Sequence, residues 1–242
     1  MQKAIRIVAI VLVIGLIGFL FVNGAINNNK SSQEPWNEHM TMGDRETAKL
    51  YYYDYTDIMC PFCDKFANAV RVHRDEFKKD YIEAKNIYFE VRLTDILYIS
   101  HKDEHESAIN SRNSAMGAYC AADQNKFWEY YDGILEKLYN DYHSKGIGVD
   151  RYSEMIPKLE LSYFKDVAKD FEDFDYERFA SCVDNGEKAE ELDKNTSKAS
   201  VITSNGVPYF IFGSYKTSGF LGKWDAEKYD WEQAKLLLDA GL

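Results

Sequence analysis

Leu50-Tyr51-Tyr52-Tyr53-Asp54-Tyr55-Thr56-Asp57-Ile58-Met59-Cys60-Pro61-Phe62-Cys63 is the stretch on which the reading of this chain turns. The tyrosine-rich half suits a buried strand, because aromatic side chains fit a pleated surface. From Pro61 the pattern turns helical, with Phe62, Phe66 and Val70 recurring near helical spacing as far as Phe77. Proline suits a first helical turn, where its missing N–H would have had no partner. Two cysteines spaced Cys-x-x-Cys at that strand-to-helix junction are what thiol–disulfide exchange needs. A thiolate there faces unpaired backbone N–H groups and the positive end of the helix dipole. Cys60 is the expected nucleophile, and Cys63, one turn further in, the expected resolving thiol. Half of a structural zinc site is the competing reading, but it asks for a second pair at similar spacing. Cys120 and Cys182 stand far apart in sequence and do not supply one. An inert structural disulfide is a further alternative.

The bulk composition narrows the setting. The chain has 242 residues, 45% hydrophobic and 15% aromatic, so it can bury a large core and is not a disordered polymer. Its net charge of −11 and pI near 5.0 repel phosphate backbones, which argues against nucleic-acid partners. The N-terminus differs from the rest. Lys3 and Arg6 precede an uncharged apolar run from Ile7 to Val22. With Ala4 this just reaches the roughly 17–25 residues that span a bilayer. The positive flank predicts a signal anchor over residues 1–23, its start in the cytoplasm and the remainder of the chain outside. A cleaved signal peptide is the competitor, although Val22-Asn23-Gly24-Ala25 makes a poor cleavage site. Either reading exports the bulk of the chain to where disulfides persist. Four cysteines with one Cys-x-x-Cys pair then suggest one exchanging and one structural disulfide.

Outward from the motif, residues 24–44 read as a polar tether. Ile87 to Leu93 reads as a second strand. A helical stretch follows from about Glu104 to Tyr142, with Phe127, Tyr131, Ile134, Leu135 and Leu138 on one face. A second helical region is expected from about Arg151 to Asn185, broken near Pro157. Its last helix starts on Asp175 as N-cap and stops at Gly186. A helix over about 188–204 leads to a strand from Pro208 to Phe212, a turn at Gly213-Ser214, and a partner strand from Tyr215 to Phe220. Asp230 with Gln233 at N3 suggests a capped final helix. The order is β-α-β, a helical block, then α-β-β-α. That is a thioredoxin-like α/β fold over residues 45–99 and 187–242, with an inserted helical domain over 100–186. In such a fold Val207-Pro208, a candidate cis bond before a strand, lies against the Cys-x-x-Cys sulfurs. Its free backbone groups can pair with an extended substrate.

These stretches resemble the DsbA-like thiol–disulfide oxidoreductases. The resemblance is carried by Tyr53 to Cys63, by the segment Cys120-Ala121-Ala122-Asp123-Gln124-Asn125-Lys126-Phe127-Trp128, by Phe179-Ala180-Ser181-Cys182, and by Gly206-Val207-Pro208-Tyr209-Phe210, in that order. It implies a disulfide oxidase for exported, reduced or unfolded polypeptides. It also implies re-oxidation by a membrane quinone-linked partner of the DsbB or vitamin-K-epoxide-reductase type, with no cofactor. Position by position, Cys60 matches the exposed nucleophile, Cys63 the buried resolving thiol and Pro208 the cis-proline, with Pro61, Phe62 and Val207 as their neighbours. Phe62 stands where the best-studied oxidases carry a histidine. Asp54, six residues before Cys60, falls where relatives often carry a buried acid. It is the candidate proton relay to Cys63, the alternative being a strand aspartate facing solvent. Cys120 and Cys182 are read as a bridge pinning the insertion, the alternative being two buried free thiols. His101-Lys102-Asp103-Glu104-His105 matches a zinc-protease pattern, but is read as a chance charged pentapeptide and no metal is expected. Asn29-Lys30-Ser31 and Asn195-Thr196-Ser197 fit glycosylation sequons. A dimerising isomerase would need more than this tether, so a monomer is expected. The rival functions are a reductase or isomerase of the same fold, and a non-catalytic binding module.

Overall fold

The computed structural model describes residues 35–150, 152–204, 206–219 and 230–242. The expected anchor, most of the expected tether, the first sequon and the end of the last strand at Phe220 lie outside the described residues. Among the described residues no helix is long and apolar enough to cross a membrane.

Five strands form one sheet. β1 (Thr41–Met42) pairs antiparallel with β3 (Ile87–Leu93), which runs parallel to β2 (Leu50–Thr56). On the other side of β2 follow β4 (Tyr209–Phe212) and β5 (Tyr215–Ser218), both antiparallel to their neighbours. The order is therefore β1-β3-β2-β4-β5. Between β2 and β3 come α1 (Pro61–Val72) and α2 (Arg74–Phe77), the latter running on into a π-helical turn over Lys78–Glu83. The insertion holds α3 (Ile96–His101), α4 (Ile109–Ala122), α5 (Phe127–Asp141), α6 (Leu161–Lys165) and α7 (Tyr176–Asp184). α8 (Ala189–Thr203) returns the chain to β4, and α9 (Trp231–Asp239) closes it.

Strand alternation sorts β2 into two faces. Tyr52 stacks on Phe212 at 4.6 Å, and Phe66 of α1 meets Phe210 edge-on at 4.7 Å. Tyr52, Asp54 and Thr56 therefore face α1. Tyr53 and Tyr55 face the other way. There the Arg92 guanidinium lies 3.9 Å from the Tyr53 ring centroid and donates to the Tyr55 hydroxyl at 2.6 Å, while Glu90 pairs with Arg92 at 3.2 Å. The same hydrophobic core continues from the sheet into the insertion. Gly117 of α4 leaves room for the Tyr130 phenol, which would collide with any Cβ there and instead donates to the Phe164 carbonyl at 3.2 Å.

Several expectations need correction. The domain begins before residue 45: the chain from Asn37 on belongs to it, Met40 and Met42 are buried, and Trp128 of α5 donates to the Thr41 carbonyl at 3.3 Å. The tether expected over 24–44 gives way to the domain by Asn37, because a two-residue strand has no readable period. A separate short helix, α3, precedes the long helical stretch, which begins with a 3-10 turn over Glu106–Ala108 and is broken over residues 123–126, where Asn125 takes a left-handed φ of 59°. Residues 152–160 are not helical. Asn110 of α4 donates to the Pro157 carbonyl at 2.8 Å and accepts from Leu159 N at 2.9 Å, so a side chain replaces the helical ladder. Asp175 does cap α7, accepting from Arg178 N at 2.9 Å. Asp230 makes no side-chain cap on α9, although its carbonyl accepts from Gln233 N.

Candidate active site

The loop from β2 to α1 is fixed by an aspartate that the sequence reading passed over. Asp57 is fully buried and accepts from Met59 N (2.9 Å), Leu97 N (3.0 Å) and Ser111 Oγ (2.7 Å), while its carbonyl accepts from Cys60 N at 3.0 Å. One carboxylate thus ties the redox loop to α3 and α4 of the insertion. Burial pushes its pKa up to about 6, against the pull of those three donors. Nothing in an isolated Thr-Asp-Ile-Met marks such a residue, because two of its partners lie far along the chain.

Cys60 occupies the N-cap of α1 and Pro61 its first turn, with the Cys60 carbonyl accepting from Asp64 N at 2.9 Å. Both Cys60 and Cys63 are free thiols. Cys60, expected to be exposed, is 5% accessible, because its sulfur tucks against the loop before β4 and donates to the Val207 carbonyl at 3.6 Å. The Val207–Pro208 bond is cis. Cys63 is buried deeper, at 2%. Its thiol is pushed well up by burial, then by its hydrogen bond with Cys60 and the nearby charges of Cys60 and Asp54. The two sulfurs therefore differ in character: one borders open space at a helix terminus, the other is held as a thiol in the core.

Asp54 does not face solvent. It is 2% exposed, and burial alone raises its pKa from 3.8 to about 8. At neutral pH it carries a proton beside Cys63, which is the condition a relay needs.

Cys60 opens into a groove of about 520 Å³. Met59, Phe62, Leu97, Met155, Ile156 and Val207 give it apolar walls, and His101, Glu104, His105 and Asp150 add polar groups. Phe62 is 40% exposed, and the Lys65 ammonium lies 5.1 Å from its ring centroid. The H-x-x-E-H pentapeptide thus belongs to the groove. His101 Nδ1 sits 3.5 Å from Glu104, and the two histidine ring centroids are 6.4 Å apart. Cys120 of α4 and Cys182 of α7 form a disulfide, with Cα atoms 5.9 Å apart. Asn195 and Thr196 of the second sequon are buried, Asn195 donating to the Tyr119 hydroxyl at 2.9 Å, so that sequon has no free amide to offer.

Comparison with known proteins agrees with this arrangement. A family model described as thioredoxin matches residues 36–240. Among solved structures, BdbD from Bacillus subtilis in its oxidised form is similar, with a TM-score of 0.54 and 15% identity over 84% of this chain and 91% of that one. DsbA of Chlamydia trachomatis gives 0.53 and 13%, over 83% and 90%. A thioredoxin-like oxidoreductase from Silicibacter pomeroyi gives 0.53 and 16%, over 88% and 97%. At these identities the likeness is one of fold. A Na(+)/H(+) antiporter, NhaA 3 of Salinispora tropica, is 25% identical over 186 residues. Those residues are 77% of this chain and 23% of the antiporter, so the chain spans about a quarter of that relative's length. With the sheet, the Cys-x-x-Cys helix and the inserted helices all in place, this chain belongs to the thioredoxin family and has the helix-inserted fold of its DsbA-like members.

Proposed function

We propose that the chain is a thiol–disulfide oxidoreductase working as an oxidase on exported polypeptides. The observation that carries this is the pairing of Cys60, at the groove and the N-terminus of α1, with a buried Cys63 held as a thiol. In the oxidised protein a substrate thiolate attacks Cys60 Sγ. The Cys60–Cys63 bond breaks, its electron pair passes to Cys63, and the Asp54 carboxyl supplies the proton that makes Cys63 a thiol. A second substrate thiolate then attacks the mixed disulfide. It releases Cys60 as a thiolate facing the positive end of α1, and the substrate leaves with the new disulfide. The Val207 carbonyl and the apolar groove suit an extended chain laid across Cys60. We place the protein as a monomer outside the cytoplasm, held by residues 1–23 and re-oxidised by a membrane quinone-linked protein of the DsbB or vitamin-K-epoxide-reductase type.

Equilibration of the Cys60–Cys63 pair with glutathione tests the direction of electron flow. A potential above about −180 mV is expected of an oxidase. A value near −270 mV would make the protein a reductase, and a pair that does not exchange would leave a binding module.

A further inference from the structure

The role proposed for Asp54 has a consequence for the insertion, and the inference below rests on that role. When Asp54 hands its proton to Cys63, a bare carboxylate is left in the core, and something must receive it. The neighbouring acid on α1, Asp64, is already answered: His143 Nδ1 lies 2.8 Å from its Oδ2, and Asn68 Nδ2 donates to its Oδ1 at 2.8 Å. Asp54 has no such partner, for its Oδ1 is buried and makes no hydrogen bond among the described residues. Across the sheet it is flanked by Val91 and Phe210, which are apolar.

Two hydroxyls share its surroundings. Thr56 lies two residues along β2, hence on the same face, and is fully buried with Oγ1 unengaged. Tyr131 comes from α5, is 3% exposed, and its hydroxyl is also unengaged. Asp54, Cys63 and Asp64 lie near enough to the Tyr131 phenol for their charges to add to burial in raising its pKa. The Thr56 hydroxyl, near enough to interact with the phenol although the two are not at hydrogen-bonding geometry, opposes them. Buried polar atoms without partners are costly and rare, and Asp54 Oδ1, Thr56 Oγ1 and the Tyr131 hydroxyl are three of them.

We propose that Tyr131 and Thr56 are positioning residues, whose hydroxyls turn to donate to the Asp54 carboxylate once its proton has passed to Cys63. Before transfer, Asp54 is a neutral acid and Cys63 is bonded to Cys60. After it, Cys63 is a thiol, Asp54 is an anion, and the two rotatable hydroxyls satisfy it. A hydrogen bond to a charged group is stronger than one to a neutral group, so the hydroxyls favour the transferred state. The insertion therefore reaches into the redox chemistry as well as walling the groove.

The test is the rate of substrate-thiol oxidation against pH in the full chain, for the parent, Tyr131→Phe, Thr56→Val, Asp54→Asn and the double variant D54N/Y131F. Tyr131→Phe removes one oxygen and keeps the ring that stacks on Phe127 at 5.3 Å. Exchange in Tyr131→Phe is expected to slow about tenfold at neutral pH, with the limb that Asp54→Asn abolishes moved to higher pH. Thr56→Val should move the same limb in the same direction, giving a second reading on the pair. In the Asp54→Asn background, Tyr131→Phe should add nothing. A Tyr131→Phe profile that superposes on the parent's, or an equal slowing in the Asp54→Asn background, overturns this inference alone. A parent that does not exchange at all overturns the proposed function with it.

Discussion

Replacing Asp54 with asparagine is expected to stabilise the protein, and increasingly so as the pH rises from 4 to 8. Asp54 is 2% exposed, and its pKa rises on folding from 3.8 to about 8 with burial as the cause. The sign follows from proton linkage. The folded state holds this proton more tightly than the unfolded chain, so stability is highest below 3.8 and falls as the pH climbs toward 8. Each pH unit in that window removes about 1.4 kcal/mol, which accumulates to about 4 kcal/mol by pH 7. Asparagine has nothing to titrate and keeps nearly the same volume. Its amide still has to be buried, so the net gain at pH 7 should be about 2–4 kcal/mol. Asp57 and Asp64 are also raised by burial, but both variants share them and the difference cancels. Urea unfolding of the reduced proteins at pH 4, 5.5, 7 and 8 measures the effect. Two stability curves that stay parallel across that range would show that Asp54 is ionised in the folded core. The stability surrendered at neutral pH is what leaves a carboxyl proton next to Cys63.

That burial marks where the sequence stopped being legible. The spans of β2 and β3, the turn into α1 at Pro61, the α8 helix and the β4–β5 hairpin follow from local pattern, because each is set by residues adjacent in the chain. The cis bond at Val207–Pro208 and the Asp175 cap are local too. Asp54 is different. β2 is the central strand and is buried on both faces, so its residues show no alternation from which to tell inside from outside. Asp57 and Tyr131 acquire meaning from neighbours that only folding supplies: the donors Leu97 and Ser111 for the first, the nearby Asp54 and Thr56 for the second. Residues 152–160 depart from the expected helix for the same reason. Ile156 and Leu159 keep an apolar rhythm, but Asn110, more than forty residues earlier, takes the Pro157 carbonyl and the Leu159 N–H.

Removing the second cysteine pair as Cys120→Ala/Cys182→Ala is expected to cost about 4 kcal/mol while leaving exchange at Cys60 intact. The bridge closes a loop of 62 positions, and the loss of unfolded-chain entropy for a closure of that length is worth about that much. Its two ends sit in α4 and α7, at 1% and 2% exposure, so the staple joins two helices that share the core of the insertion. Neither helix carries the reacting thiols. Position at the groove also separates the two pairs in reactivity, because a thiolate must reach a sulfur to exchange with it. Cys60 borders the groove and is open to attack, whereas Cys120 and Cys182 are not. Mild reductant followed by alkylation of the folded protein should therefore label at most Cys60 and Cys63. All four cysteines should be labelled once the chain is reduced in denaturant. Urea unfolding of the double variant gives the energetic half of the test, and the rate of substrate-thiol oxidation the functional half. Four thiols alkylated in denatured, unreduced protein would remove the bridge. A double variant that is destabilised as expected but also fails to exchange would mean that the insertion must be stapled for the Asp57 anchor to hold the redox loop, since Ser111, one of that anchor's donors, lies on the same helix as Cys120.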